Sequence, residues 1–206
     1  MKTPVAKYGW IPDVPDGRDF LYKVARPRRQ KLPRAVDLRS GCSPVENQGR
    51  LGSCTANALA GNLEFLDRCD DNLHEDMSRL FIYYNERALL GTTGSDSGAS
   101  LRVGIKTLAK AGSCAERSWP YDIELFAIKP PASCYEEALS RRIESYHRIE
   151  GIDGMLGCLA EGYPFVFGFA VYDVTATDDD PVNPRSTTKR LTITINPVND
   201  VPVTYD

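Results

Sequence analysis

No stretch of this sequence is apolar for long enough to cross a bilayer. The longest apolar run, residues 165–172, is interrupted by Gly168, whereas a spanning helix needs about 20 such residues. The leading residues Met1-Lys2-Thr3-Pro4-Val5-Ala6-Lys7-Tyr8 hold no apolar core of a secretory signal. A cytoplasmic location is therefore the default expectation, and no membrane partner is expected. Basic residues are not in excess: 25 Lys and Arg stand against 28 Asp and Glu, a net charge of −3. A nucleic-acid binder needs a basic face that displaces counterions, so no nucleic-acid partner is expected. Histidine is scarce, with only His74 and His147, and no Cys-x-x-Cys pair occurs. That argues against a zinc site of the usual spacing, and no cofactor is expected. The glycine loops that cradle phosphates or dinucleotides are missing, as are His-Glu-x-x-His and Gly-x-Ser-x-Gly.

What remains is a chain of ordinary globular make-up. It has 206 residues, 42% hydrophobic and 26% charged, which excludes wholesale disorder and suggests one domain or slightly more. Six cysteines stand at positions 42, 54, 69, 114, 134 and 158. Without an export signal they are expected to be reduced thiols, mostly buried as small hydrophobes.

Composition divides the chain into four parts. Residues 1–31 are rich in proline and charge and read as an extended, leader-like arm, with Arg26, Arg28 and Arg29 in a solvated basic patch. Residues 32–145 read as a helical unit. Apolar spacing predicts helices over 54–66, with Ser53 as N-cap, over 78–90, capped by Ser78 and stopped by Gly91, and over 99–111, ended by Gly112. A fourth helix is expected from Ser133, where Ser133 and Glu136 match a capping box. Residues 146–173 begin a β part, with a strand at 146–149, a short helix at 155–161 and a buried strand at 164–173. Residues 174–206 are rich in Thr and Asp, and 191–195 alternate with period two like a half-buried strand.

The run that carries chemistry is Gln48-Gly49-Arg50-Leu51-Gly52-Ser53-Cys54-Thr55-Ala56-Asn57. It places a cysteine at the start of a helix directly after glycines. The positive end of the helix dipole favours thiolate over thiol. Glycines let the backbone turn sharply and let a substrate chain lie close. The Gln48 amide can return beside the sulfur and, with the Cys54 N–H, form a two-donor oxyanion hole for acyl transfer.

At these residues the chain resembles the papain-like cysteine peptidases of the C1 family, in a short bacterial type. The resemblance extends over Leu32-Pro33-Arg34-Ala35-Val36-Asp37, Asp96-Ser97-Gly98-Ala99, Trp119-Pro120-Tyr121-Asp122 and Tyr163-Pro164-Phe165-Val166-Phe167-Gly168-Phe169, and the Tyr8-Gly9-Trp10-Ile11-Pro12-Asp13 arm looks like a leader. It implies Cys54 as nucleophile and Gln48 as oxyanion-hole donor. It implies Gly52, Ser53, Ser97 and Gly98 as residues that line the groove and pair with substrate backbone. The implied reaction is hydrolysis of peptide bonds in a peptide or protein substrate through a thioester on Cys54.

The pattern departs from the family in three ways. Leu51 and Thr55 stand where the family has a cysteine and an aromatic residue, and losing that cysteine removes a family disulfide. Downstream, the family's His-Ala-Val strand and Asn-Ser-Trp-Gly run are absent, and no histidine follows His147. His74, in an acidic loop, and His147, at the crossing into the β part, are read as solvated or structural. Two readings follow: a cysteine peptidase, or a catalytically inactive truncated homologue or peptide-binding or interaction module. The fold implied is α+β, a papain-like helical left domain with an incomplete β-rich right domain, and a strand-pairing partner could complete it. The tail resembles a cadherin-like repeat fragment, whose Asp178, Asp180, Asn199 and Asp200 carry the hard oxygens calcium prefers.

Overall fold

The computed structural model describes residues 8–25, 31–71, 75–169, 172–177, 186–191 and 203–204. Three helices make the core: α1 (Cys54–Asp71), α2 (Arg79–Leu90) and α3 (Leu101–Ala111). Each presents its apolar positions at helical spacing to the others. Leu59 and Leu63 of α1, Leu80 and Ile82 of α2, and Ile105 and Leu108 of α3 are buried in one cluster. Each such side chain contributes about 1.5–3 kcal/mol by leaving water. Gly104 lets α3 approach the other two helices. A Cβ there would lie 2.3 Å from Leu59 Cδ1 and 2.5 Å from Glu86 Oε1.

The helix ends follow local chemistry. The Ser78 hydroxyl accepts from the Phe81 N–H at 3.1 Å and opens α2, and Gly91, with φ 72°, closes it. Ser100 caps α3 through the Val103 N–H. Gly112 ends α3 at φ 72°, where a Cβ would lie 1.9 Å from the Ala138 carbonyl oxygen. The fourth helix, α4 (Ala132–Ala138), does not use the expected capping box. Pro131, set at φ −65°, starts it earlier and leaves Ser133 inside the helix.

The β part is shorter than the sequence pattern suggests. β1 is only Ser145–Tyr146 and pairs antiparallel with β4 (Val203–Thr204). Beyond it, Arg148 joins the arm instead. Tyr22 N–H donates to the Arg148 carbonyl at 2.8 Å, and Arg148 N–H donates to the Phe20 carbonyl at 2.7 Å. Helix α5 (Gly151–Ala160) begins earlier than expected, with Asp153 in its first turn at the positive end of the dipole. Residues 163–169 are not a buried strand. Phe167 is 47% and Phe169 60% exposed, and their rings lean on each other at 5.8 Å rather than on a covering layer. Ladder pairing resumes at β2 (Tyr172–Thr177), antiparallel to β3 (Ser186–Leu191). Of the strand expected at 191–195, Leu191 is the last residue of β3; residues 192–195 lie outside the described residues, as do Asp178, Asp180, Asn199 and Asp200. The architecture is thus α+β, with a helical layer and, among the described residues, a sparse strand part.

The arm is not a free tail. Its Gly9-Trp10-Ile11 segment pairs in parallel with Ala99 at the entrance to α3. Farther along, Arg102 of α3 bonds Asp19 and donates its backbone N–H to Asp13 at 3.1 Å. The Val24 side chain covers Gly157 of α5.

Candidate active site

Cys54 is the first residue of α1 and is half-buried. Burial pushes its thiol up from the ordinary range. Backbone N–H groups of Gly9, Trp10 and Thr55 point at the sulfur and act in the opposite sense. The balance lies with burial, so the helix terminus alone does not produce the thiolate that the sequence reading anticipated.

The loop that delivers Cys54 is held from three sides. Gln48 donates from Nε2 to the Leu51 carbonyl at 2.9 Å and closes the turn that contains Gly49, whose φ is 62°. Gly52 N–H donates to Asp96 Oδ1 at 2.9 Å. The Ser53 hydroxyl, expected as the N-cap, is engaged by other side chains. It meets the Tyr121 hydroxyl at 2.5 Å and lies 3.1 Å from Asn57 Nδ2. Tyr121 also donates to the Gln48 carbonyl at 3.1 Å, and the Arg79 guanidinium lies 4.2 Å above its ring. Arg79 is itself paired with Glu46 at 2.6 Å.

The facing wall is built from Asp96, Ser97, Gly98 and Ala99. The Tyr83 hydroxyl donates to Asp96 at 2.5 Å and accepts from the Gly98 N–H at 3.0 Å. One buried tyrosine thus ties the wall to the Cys54 loop through Asp96. Gly98 has φ 72°, and its Cβ would lie 1.9 Å from the Gly9 carbonyl oxygen. Ser97 points away from the loop and pairs with Thr92 at 2.8 Å.

The space between loop and wall is filled by the arm. Ala99 N–H donates to the Gly9 carbonyl at 3.0 Å, and Ile11 N–H donates to the Ala99 carbonyl at 2.9 Å. Gly9 rests on Gly52, where a Cβ on Gly9 would lie 2.0 Å from the Gly52 carbonyl oxygen. The Trp10 indole packs over Gly168, whose Cβ would lie 2.0 Å from Cε2 of the ring. An extended backbone therefore already occupies the groove, with its amides on the sulfur.

The structure brings Cys54, Gln48, Gly52, Ser53 and Gly98 together, with Ser97 at the outer edge. His74 lies outside the described residues. His147 is the only imidazole among the described residues. It lines a separate cavity with Asp16, Phe20, Arg102 and Glu144, apart from the Cys54 loop.

This arrangement recurs in known proteins. A cysteine protease from Xylella fastidiosa, xylellain, superposes with a TM-score of 0.71 at 42% identity, over 82% of this chain and 68% of that one. The chain belongs to the papain-like cysteine peptidase family. An uncharacterized peptidase C1-like protein of Acanthamoeba polyphaga mimivirus is 38% identical over 84% of this chain. The chain spans 64% of the length of that curated relative. Procathepsin B S9 from Trypanosoma congolense shares the fold, with a TM-score of 0.63 at 15% identity over 82% of this chain and 60% of that one. No family model matches.

Within this papain-like frame, sequence reading missed four participants. Tyr83 and Asp96 hold the wall and the loop together, Tyr121 holds Ser53 and Gln48, and Gly9-Trp10 fill the groove. Three of these sat inside quoted motifs, Asp96-Ser97-Gly98-Ala99, Trp119-Pro120-Tyr121-Asp122 and Tyr8-Gly9-Trp10-Ile11-Pro12-Asp13, but nothing local marks Asp96 or Tyr121 as a support or Gly9-Trp10 as the occupant of the groove. Tyr83 looks like any core aromatic on α2.

Proposed function

We propose that this chain supplies the nucleophile and the substrate wall of a cysteine-type peptidase, acting on peptide bonds of a peptide or protein through a thioester on Cys54. The observation that carries this reading is the arm. A peptide backbone lies in the groove, hydrogen-bonded to Ala99 and donating N–H groups to the Cys54 sulfur. A substrate chain in the same place would set its carbonyl carbon beside that sulfur. The Cys54 N–H and a Gln48 amide hydrogen would then hold the oxyanion. Nε2 carries two hydrogens, so the Leu51 contact and an oxyanion contact are compatible in number. In this reading the docked arm keeps the chain latent until it leaves.

A second reading, peptide binding without turnover, is favoured by one specific observation. Cys54 is held above its ordinary range, and the only described imidazole lies elsewhere. Turnover needs a base to stabilise the thiolate and an acid to protonate the leaving amine. That group must come from outside the described residues or from a strand-pairing partner that covers Phe167 and Phe169. A fluorogenic peptide assay on the wild type and Cys54→Ala separates the readings. Cleavage lost in the variant supports the peptidase. Equal residual cleavage by both proteins removes it, and peptide binding measured on Cys54→Ala then tests the groove alone.

A further inference from the structure

The chain buries a carboxyl group that the proposed chemistry does not use. Glu86, on α2, has no solvent exposure. The Thr55 hydroxyl donates to its Oε2 at 2.9 Å. Its Oε1 has no hydrogen-bond partner among the described residues and lies against Gly104 of α3. Thr55 follows Cys54 in the first turn of α1, so this carboxyl stands just behind the thiol.

The groups packed around Glu86 decide its charge. On α1 they are the Thr55 hydroxyl and the Leu59 methyls, and the Cys54 thiol lies close enough to feel the carboxyl's charge. On α3 the contact is Gly104, which offers only Cα. On its own helix the neighbouring cation is Arg87. The Arg87 guanidinium, however, donates to the carbonyls of Tyr83, Thr93, Ser95 and Phe126, and those four acceptors hold it. Among the described residues, an anion at Glu86 would have one hydrogen bond and no ion-paired partner. Burial therefore holds the proton on, and the group is pushed up to about 8.

We propose that Glu86, seated on Thr55, is a positioning residue that governs ionisation of the Cys54 thiol. Neutral Glu86 leaves the positive end of α1 unopposed. When its proton leaves to solvent, a negative charge stands behind the sulfur and holds the Cys54 proton on. The two sites titrate as a pair, and the nucleophile loses its advantage above neutral pH instead of gaining steadily.

This inference rests on Cys54 being the reactive thiol, and it does not require turnover. The test is the rate of iodoacetamide alkylation of full-length protein from pH 6 to 10. In that reaction the thiolate forms the S–C bond and iodide departs. The rate is read by mass spectrometry on the tryptic peptide 51–68, whose sole cysteine is Cys54. Wild type and Glu86→Gln should agree within about twofold below pH 7. Above pH 8 the variant should be faster, reaching about tenfold, equivalent to one pH unit in the thiol midpoint. Superimposed profiles over the whole range would overturn the coupling. An equal advantage at pH 6 and pH 9 would also overturn it, because Glu86 would then be ionised throughout. Thr55→Val provides the second arm. Removing the hydroxyl that favours the anion should move the inflection to higher pH, and an unmoved inflection refutes the role of Thr55. A purely structural Glu86 would alter stability in these variants without changing the shape of either profile.

Discussion

Replacing Gly9 by alanine tests the arm with the least disturbance elsewhere. The new methyl would lie 2.0 Å from the Gly52 carbonyl oxygen and 2.7 Å from its carbon, with backbone on both sides of the contact. Neither side can yield by rotating a side chain, so the docked arm must shift or leave. The free arm has no such clash. Forcing a methyl into a packed site typically costs 1–3 kcal/mol. At about 1.4 kcal/mol per tenfold, that multiplies the undocked population by roughly 5 to 150. If alkylation of Cys54 waits for undocking, its rate rises by the same factor. The assay is peptide-resolved alkylation of Cys54 at fixed pH. Gly17→Ala is the control on the same arm, because a Cβ there meets nothing within 4 Å. An unchanged Gly9→Ala rate, or an equal rise in Gly17→Ala, would refute the conclusion that the arm shields the thiol.

Other substitutions test the frame beneath the site. Arg87→Leu removes the guanidinium that the carbonyls of Tyr83, Thr93, Ser95 and Phe126 share, and urea denaturation should show a loss of about 1–3 kcal/mol. Gly104→Ala drives a methyl against Leu59 and Glu86 and should cost about 1–3 kcal/mol by the same measurement; a neutral result would mean that α3 can move aside freely. Glu86 also predicts the sign of a stability change with pH. Its folded-state value of about 8 lies above its ordinary value of 4.5, so the folded chain binds the proton more tightly. That contribution is full below pH 4.5 and is lost as pH rises through 8, at up to about 1.4 kcal/mol per pH unit. The urea midpoint should therefore fall across this window in the wild type and stay flatter in Glu86→Gln; identical slopes would show that the carboxyl is already ionised when folded.

Local order could be read from the sequence wherever one turn of chain decides it. Ser78 and Gly91 bound α2 because a hydroxyl satisfies a free N–H and a left-handed residue ends the ladder, and both effects act within a few positions. The start of α1 at Cys54 and the glycine-rich approach to it were legible for the same reason. The capping box at Ser133 misled because Pro131 stands just upstream as the N-cap, and the helix opens at Ala132. The strand at 164–173 misled because an apolar pattern becomes a buried strand only when a neighbour supplies ladder partners, and among the described residues none pairs with 163–169.

Residue types and their spacing were thus enough to determine three helices, the placement of a cysteine at a helix head, and membership of a peptidase-like lineage. Only the tertiary structure decided what surrounds that sulfur. The arm on Ala99, Trp10 over Gly168, Tyr83 and Asp96 beneath the loop, and Glu86 behind Thr55 are contacts between segments far apart in the chain. Such contacts leave no periodic or local mark. They arise because packing three helices and an extended strand into one volume fixes which buried groups must meet.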